Sequence, residues 1–216
     1  MTHALDRQTL ARVILHGLVS PATGGLVPPG LPGHAAGIGL AYDPERARRL
    51  LAEAGYPDGC GFPVIEAWER YLEFQPHFNF LTAQWHDQLG IQINWKHFEN
   101  VEFLKRLRAG PPPIFVLGWI ADYPDPDEFL RLLMHRPVIR WRHQDYEQLL
   151  ETARRSADQA ERLRFYAAAD RLLVQEAPIV PLFHERQHYL LKPWVKRYPI
   201  SPFGAEYWKD VIIEAH

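Results

Sequence analysis

The sequence is almost without cysteine and has no long apolar run. Cys60 is the single cysteine among 216 residues, so no disulfide can form within the chain, and a reducing or an oxidising compartment would suit it equally. No apolar run approaches the about 20 residues that cross a bilayer, and residues 1–17 lack the charged and then apolar pattern of a secretory signal. These absences predict that no segment of the chain spans a membrane.

The sequence also lacks a surplus of positive charge. The sequence has 24 Lys and Arg residues and 26 Asp and Glu residues. The net charge of −2 gives no electrostatic reason to expect a nucleic-acid partner. The hydrophobic fraction of 47% and the charged fraction of 23% are ordinary for a soluble globular protein. The length is enough for one sizeable domain.

Proline and tryptophan are abundant instead. The 19 prolines are about twice the usual share. They cluster at 21–32, 111–113, 124–126 and 193–202. We interpret these clusters as connections between packed elements. The seven tryptophans suit a core together with an aromatic-lined cavity.

A pattern of helix, glycine and strand occurs three times. The predicted helices are 44–54, 78–89 and 101–109, which end before Gly55, Gly90 and Gly110, and the predicted strands are 62–68, 91–95 and 114–119. Asp43 and Asn100 are the predicted caps of the first and third helices. Such alternation is typical of an α/β fold with parallel strands and right-handed crossovers.

Other elements flank this repeat. A helix is predicted to begin at Asp6, with an apolar face of Leu10, Val13, Ile14 and Leu18. Further helices are predicted over 127–134, 145–155 and 158–176, followed by extended segments at 178–183, 189–191 and 211–213. The late strands lie outside the repeat and could belong to another sheet.

An acidic residue follows a predicted buried strand. The apolar run 114–117 leads to Trp119, and Asp122 comes next, ahead of a proline-rich turn. Ligands of open α/β sheets lie beyond the carboxyl ends of the strands. No basic residue occurs between Gly110 and Arg131, so a desolvated Asp122 would lack a nearby partner, which a ligand cation such as an amino group could supply. The alternative is that Asp122 caps the next helix or its own turn.

The segment from His184 to His188 matches H-E-x-x-H, which is a zinc metallopeptidase signature. That chemistry would use His184, Glu185 and His188, and it requires a helix to bring the two imidazoles together. The flanking residues are rich in proline and β-branched side chains. Positions four apart on a strand lie about 13 Å apart, too far for one zinc ion. We therefore expect an extended hairpin here, with no metal.

Several motifs resemble a known family. They are Leu5-Asp6-Arg7, the stretch from Tyr42 through Gly59, Gln88-Leu89-Gly90-Ile91, Gly118-Trp119 through Pro126, and Ala177 through Leu182 leading to Lys192-Pro193-Trp194-Val195. In this order and spacing they resemble the extracytoplasmic solute-binding proteins of peptide and nickel ABC importers, solute-binding family 5. The resemblance covers nearly the whole chain but only the C-terminal portion of the family.

The resemblance implies a periplasmic-binding-protein type II-like lobe with a βα-repeat sheet. Residues 1–180 would form the second, ligand-binding lobe, and residues 181–216 a return segment that completes a first lobe absent from this chain. The chain would be a non-enzymatic fragment of a substrate-binding component, periplasmic or otherwise extracytoplasmic in its parent, with no cofactor. Its partners would be a peptide or other small solute and the membrane subunits of an ABC permease.

The resemblance also assigns a site. The acid of the family's G-W-x-x-D stretch pairs with a peptide's α-amino group, and it corresponds here to Asp122, beside Trp119, Ala121 and Tyr123. Some members place an arginine just before that glycine for the ligand carboxylate, where this chain has Val116 and Leu117.

Two further expectations follow. Binding-protein lobes also serve as ligand-sensing domains of regulators, so the alternative that this chain is such a sensing domain stays open. We also expect the chain by itself to bind peptide weakly or not at all, and copies of it could pair as homodimers through unpaired strands.

Overall fold

The structure is a computed structural model, and it describes residues 1–70, 75–132, 138–200 and 207–215. The helices in these residues are α1 (Arg7–Thr9), α2 (Pro44–Glu53), α3 (Gln75–Leu89), α4 (Asn100–Ala109), α5 (Asp127–Leu130), α6 (Gln144–Arg155) and α7 (Gln159–Glu176). The strands are β1 (Val19–Pro21), β2 (Ile65–Glu69), β3 (Ile93–His97), β4 (Ile114–Phe115), β5 (Phe183–Glu185), β6 (Val195–Arg197) and β7 (Ile212–Ile213). None of the described helices is long and apolar enough to cross a membrane.

The predicted parallel sheet is confirmed. Three strands lie in the order β3-β2-β4, all parallel, with Ile65 opposite Ile93 and Ala67 opposite Ile114. The register also sets Glu69 opposite His97 at the last position of each strand. The carboxyl ends of the strands therefore meet at one edge of the sheet.

Helices cover both faces of this sheet. On one face, α2 and α3 enclose a core cluster of Ala4, Leu5, Ala47, Ile65, Phe78, Leu81, Trp85, Leu89 and Ile91. On the other face, α4 packs Phe103 and Leu107 against Trp68 of β2. Because side chains alternate along a strand, Ile65 and Glu69 share the α3 side while Trp68 faces α4.

A separate cluster forms around α6 and α7. Its buried members are Val27, Leu130, Tyr146, Leu150, Ala153, Tyr166, Ala169 and Leu173. Tyr146 donates a hydrogen bond to the Leu130 carbonyl oxygen at 2.7 Å, which ties α6 to α5. This cluster supports the far end of the connection that leaves β4.

Local signals explain where the helices begin and end. The Asp43 carboxylate accepts from the Arg46 amide at 2.9 Å and Pro44 occupies the first helical position, as predicted for α2. Asp158 caps α7 in the same way through the Glu161 amide at 2.7 Å. Asn100, by contrast, is not a cap, because it is already the first residue of α4 and its side chain accepts from Arg70.

The strand expected over 114–119 is shorter than predicted. It ends at Phe115, with one more ladder bond from the Val116 amide to the Trp68 carbonyl oxygen at 3.0 Å. β2 itself ends at Glu69, which lies opposite Val116 in this register. The residues from Gly118 to Pro126 therefore form an irregular loop.

The first helix also differs from the expectation. After α1 the chain continues as a π-helical turn over Leu10–Ile14. Its wider spacing of i to i+5 moves residues off the face that a 3.6-residue period predicts, and Val13 and Leu18 are exposed while Leu10 is buried. The helix predicted over 127–134 is seen as α5, and its last two positions lie outside the described residues.

The late strands form small sheets of their own, as the sequence suggested. β5 pairs with β1, antiparallel, and β6 pairs with β7. The strand predicted over 189–191 is wrong, and so is the hairpin at 184–188, because the partner of residues 183–185 is β1, which has only three residues.

Candidate functional site

The carboxyl edge of the sheet carries the predicted site loop. β4 ends at Phe115, and the chain then passes Trp119, Ala121, Asp122 and Tyr123 before α5 begins. Ala121 is buried, whereas Trp119 is 41% exposed and Tyr123 46% exposed. The structure thus brings these four residues together in one loop, with its aromatic side chains partly open to solvent.

Asp122 is exposed in this loop. The expectation that its carboxylate is desolvated is wrong for this chain, because the strand stops at Phe115 and the loop carries Asp122 outward. Within the part of the chain that the structure describes, the Asp122 carboxylate has no hydrogen bond or ion pair. It therefore does not cap α5, and its charge is available to a group from outside.

Two other acids fix the far end of this loop. The Asp125 carboxylate accepts from the Asp127 amide at 2.9 Å and pairs with the Arg162 guanidinium of α7 at 2.6 Å. The Asp127 carboxylate, which is buried, accepts from the Tyr166 hydroxyl at 3.0 Å and from Arg131 at 3.0 Å. Asp122 is thus an exposed charge on a loop whose following residues are pinned to α7.

Tyr123 borders a cleft of about 550 Å³ that the other three predicted residues do not line. The pKa of its hydroxyl is raised, first by burial and then by a hydrogen bond to Glu128. The cleft is lined by Tyr123, Asp127, Arg131, Arg154, Ser156, Ala157, Gln159 and Arg162. Its three arginines already pair with Asp127, Glu151 and Asp125. We interpret these ion pairs as a network that holds the loop in place. The carboxyl edge of the sheet is therefore a better candidate for the ligand site than this cleft.

A second polar group at the sheet edge was missed by the sequence reasoning. Glu69, only 1% exposed, accepts a hydrogen bond from His97 Nδ1 at 2.8 Å and from the Gln75 side chain at 3.4 Å. Arg70 follows directly and donates to the Asn100 side chain at the start of α4. Glu69 and His97 are 28 positions apart, so only the strand register brings them together.

The H-E-x-x-H segment is not arranged as a zinc site. His184 lies in β5, and residues 186–190 form neither helix nor strand, so the helix that the chemistry requires is absent there. His188 instead meets the Leu18 carbonyl oxygen at 3.1 Å. Across the described ranges, no group of three or more His, Cys, Asp or Glu side chains could hold a metal ion.

The burial of His184 has an electrostatic consequence. Burial, and after it the charge of His34, lowers the pKa of His184 to about 4. The imidazole is therefore neutral near neutral pH, and its buried Nε2 has no hydrogen-bond partner in the structure.

Comparison with known proteins identifies similar chains. The family described as bacterial extracellular solute-binding proteins, family 5 Middle, matches residues 1–139. The heme-binding protein A of Haemophilus influenzae is 29% identical over 99% of this chain and 41% of its own length. The dipeptide-binding protein of Escherichia coli is 26% identical over 99% of this chain and 42% of its own length.

A solved structure shows the same fold. The murein tripeptide-binding protein of Escherichia coli superposes with a TM-score of 0.86 at 24% identity, over 100% of this chain and 44% of that one. The chain thus spans about two-fifths of the length of the curated relatives it matches.

Proposed function

Because this chain belongs to family 5 of the bacterial extracellular solute-binding proteins, we propose that it is the ligand-binding lobe of a substrate-binding component that delivers peptides to an ABC permease. The expected fold class is confirmed, since the chain has the α/β architecture of the peptide-binding type II lobe. Its relatives are binding proteins and not enzymes. The peptide, the permease and an extracytoplasmic location are proposals for the protein that contains this lobe.

The observation that carries the proposal is the exposed Asp122 carboxylate at the carboxyl edge of the sheet. It has no partner among the described residues, and it shares its loop with the half-exposed ring of Trp119. An ammonium group would satisfy this charge through a charge-assisted hydrogen bond, with the indole as an apolar wall. A peptide's amino terminus has that chemistry.

The same edge provides a charge of the opposite sign. Arg70 follows β2 and its guanidinium lies 5.8 Å from the centre of the Phe103 ring, next to Asn100. A guanidinium offers five N–H donors in a planar fork, which suits a carboxylate. The family's arginine is replaced by Val116 and Leu117 in this chain, and Arg70 is our candidate for the role of holding a peptide's terminal carboxylate.

We propose the division of the chain that the resemblance implied. Residues 1–180 would be the second lobe and residues 181–216 the return segment toward a first lobe. Support comes from the packing, because Leu190, Trp208, Ile212 and Ile213 are exposed beyond β5. Large exposed apolar side chains that recur in one part of the chain favour a surface that another part of a protein covers.

Substitution of Asp122 tests the proposed function. In a protein with both lobes, Asp122→Asn is expected to weaken peptide binding by about ten- to a hundredfold, because a charge-assisted hydrogen bond is lost. The melting temperature of the empty protein should stay nearly the same, since the Asp122 carboxylate makes no hydrogen bond or ion pair within the described residues. Calorimetry with a peptide library measures the affinity.

The matched control is Asp87→Asn. Asp87 is also exposed, but it lies near the end of α3, at the opposite edge of the sheet. The control should bind peptide as the unchanged protein does. An Asp122→Asn protein that unfolds yet retains its affinity would make Asp122 a structural residue and refute the assignment.

A further inference from the structure

A buried glutamate orients a histidine at the carboxyl edge of the sheet. Glu69 and His97 close β2 and β3 in direct register, on the face covered by α3. The carboxylate of Glu69 is almost fully buried, and it accepts a hydrogen bond from His97 Nδ1 at 2.8 Å. A carboxylate in this position fixes the ring's orientation and directs the second nitrogen, Nε2, away from the pair.

That second nitrogen has no hydrogen-bond partner among the residues that the structure describes. His97 Nε2 is enclosed although its ring as a whole is 25% exposed. Buried polar atoms of this kind are rare in native proteins, and each calls for an explanation. Neither the fold nor the proposed role of Asp122 uses this atom.

The position of the Glu99 side chain indicates that a carboxylate can lie beside His97 Nε2. The Glu99 carboxylate stands 3.9 Å from it, which is within reach of an ion pair but too long for a hydrogen bond. Glu99 is 89% exposed, so nothing holds it tightly in that position. It marks a place beside the imidazole that a carboxylate can occupy.

We propose that His97 in its doubly protonated form, held in place by Glu69, donates from Nε2 to an acidic side chain of the solute, so that this lobe prefers peptides that carry a Glu or Asp residue. The inference rests on the proposed function. Asp122 would hold the amino terminus on the β4 side of β2, and Arg70 the terminal carboxylate. His97 lies on the β3 side and discriminates among side chains. Glu69 acts through His97 and is a positioning residue.

The test compares two dipeptides, Ala-Glu and Ala-Gln, which differ only in the charge of one side chain. Each is titrated to millimolar concentrations into isotope-labelled protein that contains both lobes, and NMR follows the ring nitrogens of His97 and the backbone of Trp119 and Asp122. Ala-Glu is expected to bind about three- to tenfold more tightly than Ala-Gln and to shift the Nε2 resonance.

Three variants separate recognition from simple loss of structure. His97→Gln should bring the ratio of the two affinities to about one, while His86→Gln, at the opposite edge of the sheet, should leave it unchanged. Glu99→Gln removes the competing carboxylate and should strengthen Ala-Glu binding. A purely structural His97 would give neither the lost ratio nor the gain, so the Glu99→Gln measurement keeps the inference testable even if His97→Gln fails to fold.

Each outcome decides between the two proposals. If both dipeptides perturb Trp119 and Asp122 equally and His97 Nε2 does not respond, the inference is overturned and the proposed function stands. If neither dipeptide perturbs Asp122, both are overturned. If Glu99→Gln leaves Ala-Glu binding unchanged while His97→Gln lowers it for both dipeptides alike, His97 is a structural residue.

Discussion

At the scale of single residues, one carboxylate joins the Pro/Gly-rich connection to the longest helix. Asp170 of α7 is completely buried and accepts from the Leu26 amide at 2.8 Å. Burial raises the pKa of Asp170, and the amides of Leu26 and Val27 oppose that effect. The contact depends on Gly25, where an added Cβ would lie 1.9 Å from the Asp170 carboxylate.

Gly25→Ala is therefore expected to lower the free energy of unfolding by about 1–3 kcal/mol, because a buried carboxylate must move and its bond to Leu26 is strained. Denaturation in urea measures the change. The matched control is Gly110→Ala, where an added Cβ meets no atom within 4 Å, and it should be close to neutral. A Gly25→Ala protein as stable as this control would show that the Asp170 contact is not a constraint.

Asp122 and His97 show which site residues the sequence alone predicts and which it does not. Asp122 was predicted because it follows an apolar run and a tryptophan, which are local in the sequence. The solvent exposure of Asp122 was not predicted, because it depends on the residue at which β2 ends. His97 was missed altogether, because neither its position nor that of Glu69 is unusual until the strand register places them side by side.

At the scale of elements, β5 is a strand held from several sides. It pairs with β1, and the Phe183 ring meets the His77 ring of α3 edge-on at 5.3 Å. Arg7 donates to the Pro181 carbonyl oxygen at 2.7 Å just before the strand. His184 lies within this packing, near His34 of the Pro/Gly-rich connection.

The titration of His184 should make stability depend on pH. Its pKa of about 4 in the folded chain is below the ordinary 6.5, so between these values the unfolded chain binds a proton that the folded chain does not. The free energy of unfolding should then fall as the pH is lowered through this window. Urea denaturation at a series of pH values measures the slope.

His184→Gln should reduce that slope, and His86→Gln, on the exposed end of α3, should leave it as it was. Equal slopes in all three proteins would mean that His184 contributes nothing to the acid response. NMR titration of the ring checks the midpoint directly.

Elements with local signals were predicted well, and the others were not. Asp43-Pro44 and the glycine at 55 are enough to define α2 within a residue or two. The π-helical turn at Leu10–Ile14 carries no comparable signal, and the face predicted for it was wrong. The strand predicted over 189–191 is absent and β6 was not predicted, because strands this short are selected by their partners and not by their own residues.

At the scale of the whole molecule, the last part of the chain leaves apolar side chains in solvent. Trp208 is 69% exposed, and Leu190 and Ile213 are exposed as well. Among the described residues β6 and β7 form a sheet of two strands, and a two-stranded sheet offers its outer edges for further pairing. This surface suits contact with a further lobe or with a second copy.

We expect the chain alone to bind peptide only weakly, because a cleft ligand gains most of its burial from enclosure on two sides. Self-association through the exposed strands is expected as the concentration rises. Calorimetry and analytical ultracentrifugation measure the two properties. Micromolar peptide affinity for a monomeric chain would contradict the expectation. Trp208→Ser should reduce self-association, because it removes an exposed apolar side chain.

The Arg7 contact has a consequence for how the chain reaches this structure. Arg7 meets Pro181 across 174 positions, Leu26 meets Asp170 across 144, and the indole of Trp85 meets the Met1 carbonyl oxygen across 84. The β2-β3-β4 sheet, by contrast, closes over short distances in sequence. Loop-closure entropy favours local contacts first. The residues near position 1 of this chain, and those around 26, should therefore reach their final contacts after the β2-β3-β4 sheet has formed.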